Sequence, residues 1–385
     1  MASSHTLDMI ERFICFDTTS RNSNLSLIEF ARAHLDGKGA RTSLTFDATG
    51  TKANLLASLG PADRPGIILS GHSDTVPVDG QAWSSDPFCL GSRDGRLYGR
   101  GVCDMKGFLA IATAMMPQLV EQHGVPIHLA MSYDEEVGCL GVHALIDDIG
   151  GRLPQPLLCI VGEPTKMGAV YAHKGKIGGH VSARGFSAHS SLQHQGVNAV
   201  EAVAEAIAFL KTWQRRYRDE GPFNAGFTAP NHTTIQSCMV SGGIAVNVIP
   251  ASASFDFDIR YLPGESAEDI VQSLETYLRD ELEPEMQATQ PGTGFSLERI
   301  PGCAAFWQDP DSEPANRVRG LAPDPSFQAV PFGTEAGYFK DAGIDTMLCG
   351  PGSIDQAHKP DEFIELDQVS ECERFLSRLA ASYSN

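Results

Sequence analysis

The sequence has no pair of cysteines spaced as CxxC, although nine cysteines are scattered along its 385 residues. An odd, unclustered set of this kind is typical of reduced thiols in a cytosolic protein, where most of them serve as core packing. No apolar run approaches the roughly 20 residues that a membrane helix requires. The N-terminal stretch lacks a basic segment followed by an apolar one, so we expect no signal peptide. Together these absences predict a cytoplasmic protein.

Basic charge is also scarce. The chain carries 29 Lys and Arg residues against 48 Asp and Glu residues, which gives a formal net charge of −19 at pH 7. Such a surface repels phosphate backbones and anionic lipid, and this argues against a nucleic-acid partner and against docking on a membrane. Hydrophobic residues make up 42% of the chain, as expected for a folded globular protein.

The apolar pattern predicts two domains. Up to about residue 177, short apolar strands alternate with helical segments, which is typical of a mostly parallel sheet with helices on both faces. The order then becomes β-α-β-β-α-β, as in a small ferredoxin-like domain, before the α/β pattern returns. The predicted fold class is therefore α/β, with a doubly wound mixed sheet interrupted by a smaller α+β (ferredoxin-like) domain. We assign 1–178 and 299–385 to the main domain, and 179–298 to the inserted one.

Polar residues follow the predicted buried strands of the main domain. These strands are 67–69, 127–131, 157–161 and 346–349, and the polar residues beyond them are His72, Asp74, Glu135, Glu136, Glu163 and His358. Open α/β sheets bind ligands in the crevice beyond the carboxyl ends of their strands. We therefore expect these side chains to lie together, although they are far apart in the sequence.

The chemistry of this set suits two metal ions. Two histidines and several carboxylates, without cysteine, form a ligand set that favours Zn, Co or Mn. Asp74 could orient the ring of His72 through its other nitrogen, and Asp104 lies in a glycine-rich segment that can place a carboxylate between two ions. Glu135 and Glu136 are adjacent, so in an extended backbone they point in opposite directions. One of them could then bind metal while the other faces the substrate as a base.

Each motif alone has an ordinary explanation. A lone HxD pattern is common by chance, and acidic pairs are usually solvated surface. The glycine-rich segment could suggest a phosphate loop, but no Ser or Thr follows Lys106 and there is no GxGxxG, so a nucleotide-binding enzyme is disfavoured. His123 and His128 are better explained as ordinary surface or core residues. The joint placement of the candidates at strand ends is what favours a metal site.

Four motifs follow one another along the chain: GHSDTVP, YGRGVCDMKG, SYDEEVG and VGEPT. In this order they resemble the aminoacylase/acetylornithine deacetylase/carboxypeptidase family of dinuclear zinc hydrolases. The resemblance continues through the inserted domain in GFSAHSS, GGIAVNVIP and DIRYLPG, and so spans nearly the whole chain. Three further segments resemble the acetylornithine-type members in particular: AHKGKIG, FGTEAGYF and CGPGSIDQAHKPDE.

Carried over position by position, this resemblance implies two divalent ions, zinc or alternatively cobalt. It implies a first metal group of His72, Asp104 and Glu163 and a second of Asp104, Glu136 and His358. Glu135 would be the general base and proton shuttle, and Asp74 would support His72. A cis peptide bond is implied at Asp104–Met105, where Met105 replaces the Asp or Asn that other members often carry.

The resemblance also gives the inserted domain a dimerisation and lid role. His189 would reach a closed active site, from the other subunit of a homodimer, and help to stabilise the oxyanion. Asn247 and Arg260 would contact the substrate carboxylate. By spacing alone, His189 would instead be a solvated residue in a loop that starts a helix.

The implied reaction is hydrolysis of an N-acyl amino acid, which for acetylornithine-type members is N2-acetyl-L-ornithine in arginine biosynthesis. A succinyl-diaminopimelate desuccinylase, a broader N-acyl-amino-acid deacylase or a dipeptidase would share the metal residues, so those residues do not separate the alternatives. A non-catalytic protein with this fold would be expected to have lost Glu135 or a ligand, and none is lost. Glu335 is the candidate for binding the substrate's ammonium group, although it could merely favour the N-terminus of the following helix.

Overall fold

The computed structural model describes residues 2–384. The helices in this part of the chain are α1 (Ser4–Ile14), α2 (Leu25–Asp36), α3 (Lys106–His123), α4 (Val142–Arg152), α5 (Ala199–Glu220), α6 (Ala267–Tyr277), α7 (Glu283–Thr289), α8 (Glu313–Leu321), α9 (Ala336–Asp341) and α10 (Leu366–Ser382). Short 3₁₀ turns span Ser190–Gln195 and Ile354–Gln356, and a π-helical turn spans Leu278–Leu282. None of the described helices combines the length and the hydropathy needed to cross a membrane.

The strands are β1 (Arg41–Phe46), β2 (Ala53–Leu59), β3 (Ile67–His72), β4 (Gly91–Arg93), β5 (Arg96–Tyr98), β6 (Ile127–Ser132), β7 (Leu158–Pro164), β8 (Gly168–His173), β9 (Gly175–Arg184), β10 (Thr234–Gly242), β11 (Ser252–Tyr261), β12 (Gly294–Cys303), β13 (Phe306–Trp307), β14 (Asp324–Val330), β15 (Thr346–Gly350) and β16 (Phe363–Glu365).

The chain divides into two compact units. The first unit comprises the chain up to His173, the segment Phe306–Val330 and the chain from Thr334 onward. The second unit comprises Lys174–Ala305 together with Pro331–Gly333.

A nine-stranded mixed sheet forms the framework of the first unit. Its strand order is β1-β2-β6-β3-β7-β15-β8-β13, and β14 pairs with β8. The four central strands, β6, β3, β7 and β15, run parallel, whereas β1, β2 and β13 pair antiparallel with their neighbours. The predicted α/β fold with a mixed sheet is confirmed. Beyond the four central strands, β8 pairs antiparallel with β15, and β14 pairs in parallel with β8.

Burial explains why the central strands were visible in the sequence. Every residue of β3, β6, β7 and β15 is buried, as expected for parallel strands that read as continuous apolar runs. Helix α3 packs against β3 and β6 and also contacts α1 and α10. Because the central strands are parallel, their carboxyl ends lie at one edge of the sheet, and the polar side chains that follow them are brought to that edge.

The second unit is a four-stranded antiparallel sheet with helices, in the order β-α-β-β-α-β. The sheet order is β10-β11-β9-β12, and its core joins residues of the strands and helices: Val181, Phe255, Ile259, Leu210 and Leu274. The predicted ferredoxin-like arrangement is confirmed. The Ser266 hydroxyl caps α6 by accepting the backbone N–H of Asp269. The helical segment continues through the π-helical turn and α7 to Thr289.

Candidate metal centre

Three candidate ligands meet at the carboxyl ends of neighbouring central strands. His72 is the last residue of β3, Glu163 lies near the end of β7, and Asp104 stands in the loop directly before α3. Their ligand atoms all lie within 4.8 Å of one another. The Nε2 atom of His72 is 3.1 Å from Asp104 Oδ1 and 3.9 Å from Glu163 Oε1. All three residues are buried, so this group is enclosed.

A second group shares Asp104 with the first. It consists of Asp104, Glu136 and His358, whose ligand atoms again lie within 4.8 Å of one another. The Nε2 atom of His358 is 3.4 Å from Asp104 Oδ2 and 3.1 Å from Glu136 Oε2. Each carboxylate oxygen of Asp104 therefore faces one histidine, so Asp104 could serve as a ligand in both groups. His358 is about half exposed, so this group is open on one side.

The electrostatics of the two groups reflect crowded carboxylates. Burial, together with the nearby Asp104, raises the pKa of Glu163 well above its ordinary value and also raises that of Glu136. Hydrogen bonds to Asp104 and Glu136 raise the pKa of His358 to about 10. Burial lowers the pKa of His72, but hydrogen bonds with Asp104 and Asp74 outweigh it and leave the pKa well above its ordinary value.

These residues fit divalent metal ions. The donor set is two imidazole nitrogens and three carboxylates without a thiolate, which suits borderline or hard divalent cations. Buried carboxylates in mutual contact disfavour ionisation, as the raised pKa values of Glu136 and Glu163 show. Positive charge between them would reverse this effect, because an opposite charge within about 4–6 Å favours the ionised carboxylate.

Glu135 and Glu136 do not lie in extended backbone, and that premise of the sequence analysis is wrong. The preceding residue, Asp134, has φ of 57°, and the chain turns so that the N–H groups of Gly138 and Cys139 donate to the Glu135 carbonyl at 2.9 and 3.0 Å. The turn still separates the two side chains. Glu136 contacts His358, 3.2 Å away. Burial and the neighbouring Glu163 and Glu136 raise the pKa of Glu135 well above its ordinary value, although His72 lowers it.

Asp74 joins His72 to this turn. The Nδ1 atom of His72 lies 3.0 Å from the main-chain carbonyl of Asp74 and 3.5 Å from its carboxylate. The carboxylate itself accepts hydrogen bonds from the N–H groups of Glu135 and Glu136 and from the Ser20 hydroxyl, at 3.1, 3.3 and 2.7 Å. The contact expected between Asp74 and the ring is therefore made mainly by the main chain, and the carboxylate holds the turn.

Two further expectations concern Met105 and Glu335. The Asp104–Met105 peptide bond is cis, as the resemblance implied.

Glu335 is buried at the start of α9 but makes no capping hydrogen bond there. Its Oε2 accepts the Ser132 hydroxyl at 2.8 Å, and its Oε1 has no hydrogen-bond partner among residues 2–384. Burial raises the pKa of Glu335 to about 7.

The structure places His189, Asn247 and Arg260 in the second unit. His189 is exposed and precedes a 3₁₀ turn, where its Nδ1 accepts the N–H of Ser191 at 3.2 Å. Asn247 is exposed on the adjoining loop, and its carbonyl accepts the N–H of Ser190 at 3.0 Å. Arg260 lies on β11, where its Nε donates to Asp258 at 2.9 Å.

Sequence reasoning assigned no role to Arg100 and Glu362, which form a buried ion pair 2.7 Å apart beside the second group. Both lie inside quoted motifs, YGRGVCDMKG and CGPGSIDQAHKPDE. No signal in the sequence distinguishes Glu362 from a solvated acid. Its contact with the backbone of the loop that carries Asp104 exists only in the folded chain.

Comparisons with known proteins identify the family and the fold. The family model for peptidase family M20/M25/M40 matches residues 68–382. The chain is 33% identical to an acetylornithine deacetylase of Pasteurella multocida (strain Pm70), over 94% of this chain and 92% of that protein. It is also 33% identical to an acetylornithine deacetylase of Myxococcus xanthus, over 97% and 96% of the two chains. Among solved structures, the M20 family metallo-carboxypeptidase Sso-CP2 from Sulfolobus solfataricus has the same fold, with a TM-score of 0.77, 16% identity and 99% of both chains covered.

Proposed function

The chain belongs to peptidase family M20/M25/M40, and from this premise we propose that it is a metal-dependent amide hydrolase that converts N2-acetyl-L-ornithine to L-ornithine and acetate. The observation that carries the proposal is Asp104, whose two carboxylate oxygens face two separate histidine-carboxylate groups. The substrate is supported by two relatives of 33% identity over nearly the full chain, both of which are acetylornithine deacetylases.

The two groups would hold two divalent ions, zinc or alternatively cobalt. His72, Asp104 and Glu163 would hold one, and Asp104, Glu136 and His358 the other. When bound, such ions acidify an attacking water and polarise the amide carbonyl. The donor types and the crowding of buried carboxylates support this assignment.

Glu135 would be the general base. It accepts a proton from the attacking water and delivers it to the nitrogen of the leaving amine, so that one residue serves both transfers. Its position supports this role, because it adjoins the proposed ligand Glu136 in the chain but belongs to neither ligand group. Asp74 supports the base by holding the turn on which it stands.

The second unit would supply substrate contacts and the dimer interface of a homodimer. His189 would stabilise the oxyanion in the partner's site, and Asn247 and Arg260 would contact the substrate carboxylate. The exposure of His189 supports action on a group outside its own unit. The edge strand β10 also supports dimerisation, because Met239 and Val240 there are 68% and 71% exposed and an unpaired strand edge can pair with a second chain.

Glu335 would recognise the ammonium group that distinguishes ornithine from apolar amino acids. A buried carboxylate oxygen without a hydrogen-bond partner supports this assignment, because such an oxygen is costly unless a ligand satisfies it. Domain roles follow from these assignments, with catalysis in the first unit and dimerisation and lid function in the second. We place the enzyme in the cytoplasm, since all nine cysteines are free thiols. We place it within arginine biosynthesis because the proposed reaction is a step of that pathway.

A panel of substrates tests the proposal. The protein, reconstituted with zinc or cobalt, is given acetylornithine, acetylmethionine, formylmethionine and succinyl-diaminopimelate, and the released amine is measured. We expect the highest kcat/KM for acetylornithine. A preference for succinyl-diaminopimelate would make the protein a desuccinylase, and equal rates would make it a broad deacylase. If none of the substrates is cleaved, the proposed reaction is wrong.

A further inference from the structure

Arg100 and Glu362 form an ion pair from which water is almost wholly excluded. Their side chains are 1% and 0% exposed, and Arg100 Nη1 lies 2.7 Å from Glu362 Oε2. A buried ion pair is weak evidence for stability, because the desolvation of two charges can cancel their attraction. We therefore infer the role of the pair from its other hydrogen bonds.

Glu362 binds the main chain of the loop that presents Asp104. Its Oε1 accepts the N–H groups of Cys103 and Asp104 at 2.8 and 3.0 Å, and its Oε2 accepts that of Gly101 at 3.0 Å. One of these donors is the amide of Asp104 itself. The carboxylate therefore fixes the backbone from which the shared ligand projects.

The same pair holds the segment that carries His358. Glu362 follows His358 by four residues, and Arg100 Nη1 donates to the carbonyl of Lys359 at 3.4 Å. Arg100 Nη2 donates to Gln81 Oε1 at 2.5 Å, and Gln81 Nε2 donates to the carbonyl of His358 at 3.0 Å. His358 has φ of 63°, a left-handed conformation that non-glycine residues seldom adopt without such support.

We propose that the Arg100–Glu362 pair is a positioning unit that sets the distance between Asp104 and His358 and thereby raises the affinity of the second group for a divalent cation. The inference rests on the proposed function only in taking that group as a metal site. Hydrogen-bond partners behind metal ligands commonly account for about 10- to 100-fold in metal affinity. Here the partner acts on the backbone of one ligand and on the segment of another.

Glu362→Gln tests the proposal. The amide keeps the shape of the side chain but replaces one oxygen with a donor, so at least one set of N–H groups loses its acceptor. Zinc is added to metal-free protein, and binding is followed by calorimetry. We expect wild type to bind two ions and the variant to bind one of them about 10- to 100-fold more weakly. Excess zinc should restore most of kcat while KM for the substrate stays unchanged.

A second variant and a control separate positioning from general stability. Gln81→Ala leaves the buried pair in place and removes the link to His358, together with the oxygen that accepts Arg100 Nη2 and the indole N–H of Trp83. It should therefore weaken the same binding event, by about 3- to 10-fold. Asp345→Asn removes a carboxylate bonded to Lys340 and Gln308 in the first unit, and it should change neither affinity. The melting temperature of each metal-free variant is measured alongside.

Each variant has two zinc affinities, one for each ligand group. The proposal is overturned if, in both Glu362→Gln and Gln81→Ala, each of these affinities stays within about twofold of wild type, even where the melting temperature falls. The measurement of zinc affinity uses no substrate. If wild type binds two ions but cleaves nothing in the panel, the proposed reaction fails, and the zinc affinities of the variants still decide this inference. If the panel succeeds and the variants bind zinc normally, only this inference fails.

Discussion

The carboxylate of Asp74 accepts the backbone N–H of Glu135 at 3.1 Å, so an acid that was expected to orient a histidine also holds the turn of the proposed base. The main-chain carbonyl of Asp74 meets the ring of His72 at 3.0 Å. One residue thus connects a proposed metal ligand to the proposed base by two different groups. The two functions can be separated by mutation, because a side-chain change leaves the carbonyl in place.

Asp74→Asn should impair turnover more than metal binding. The amide keeps the main-chain contact to His72 but can no longer accept hydrogen bonds at both side-chain positions. We expect kcat to fall about 10- to 100-fold, as for the loss of a partner that orients an active-site group, while zinc affinity changes by less than about threefold. Ser20→Ala is the milder control, because it removes one hydroxyl that donates to Asp74 at 2.7 Å and lies 3.4 Å from the Thr75 carbonyl. An equal loss of zinc affinity and turnover would mean that the carboxylate acts through His72.

Glu335→Ala should remove discrimination between charged and uncharged substrates. A hydrogen bond to a charged group contributes about 1.5–3 kcal/mol, so kcat/KM for acetylornithine should fall roughly 10- to 150-fold. The value for acetylnorvaline, which has the same carbon chain without the ammonium, should change little. Ser132→Ala removes the hydroxyl donor but keeps the carboxylate, and it should retain the preference. If both substrates lose the same factor, the ammonium is recognised elsewhere.

Mixing two inactive variants should restore activity if His189 acts across a dimer. His189→Ala retains Glu135, and Glu135→Gln retains His189, so one site of each heterodimer has both groups. Equal mixing of freely exchanging subunits should give about a quarter of wild-type activity, since half the dimers are heterodimers and each has one intact site. The assay is acetate release after exchange has been verified by mass spectrometry. An inactive mixture with verified heterodimers would show that His189 does not act in trans.

His128 should make stability fall in mild acid. Burial, together with the nearby Arg41, lowers the pKa of His128 to about 4. The unfolded chain takes up a proton near pH 6.5, which the folded state resists, so the free energy of unfolding should decrease by about 2 kcal/mol between pH 7 and pH 5 from this residue alone. The comparison is urea unfolding of wild type and His128→Gln at both pH values. A difference between the two proteins that does not change with pH would contradict this expectation.

Burial made some of the strands predictable from the sequence, although β2 and β8 are also buried and were not predicted. The strands β3 and β6 are buried along their whole length and were visible as apolar runs. The edge strand β1, with the sequence RTSLTF, was missed because none of its residues is fully buried and its polar positions resemble a loop. The mixed character of the sheet comes from such flanking strands, whose pairing a periodicity pattern does not fix.

At the site, residue chemistry was predictable and backbone geometry was not. His72 and Glu163 could be expected at one edge because parallel strands end there. The turn at Glu135 was missed because it depends on Asp134 in a left-handed conformation and on capture by Asp74, a contact between distant segments. Glu362 was missed for the same reason, since its partners lie more than 250 residues away in the chain.

The most direct test of the account is the turnover of Glu135→Gln with its metal content measured on the same sample. We expect the variant to bind two zinc ions per chain, with affinities like those of wild type, because Glu135 belongs to neither ligand group. We also expect that kcat for acetylornithine falls by about 10²–10⁴-fold or more, since the base serves both proton transfers. Near-normal kcat, or the loss of an ion from the variant, would contradict the account.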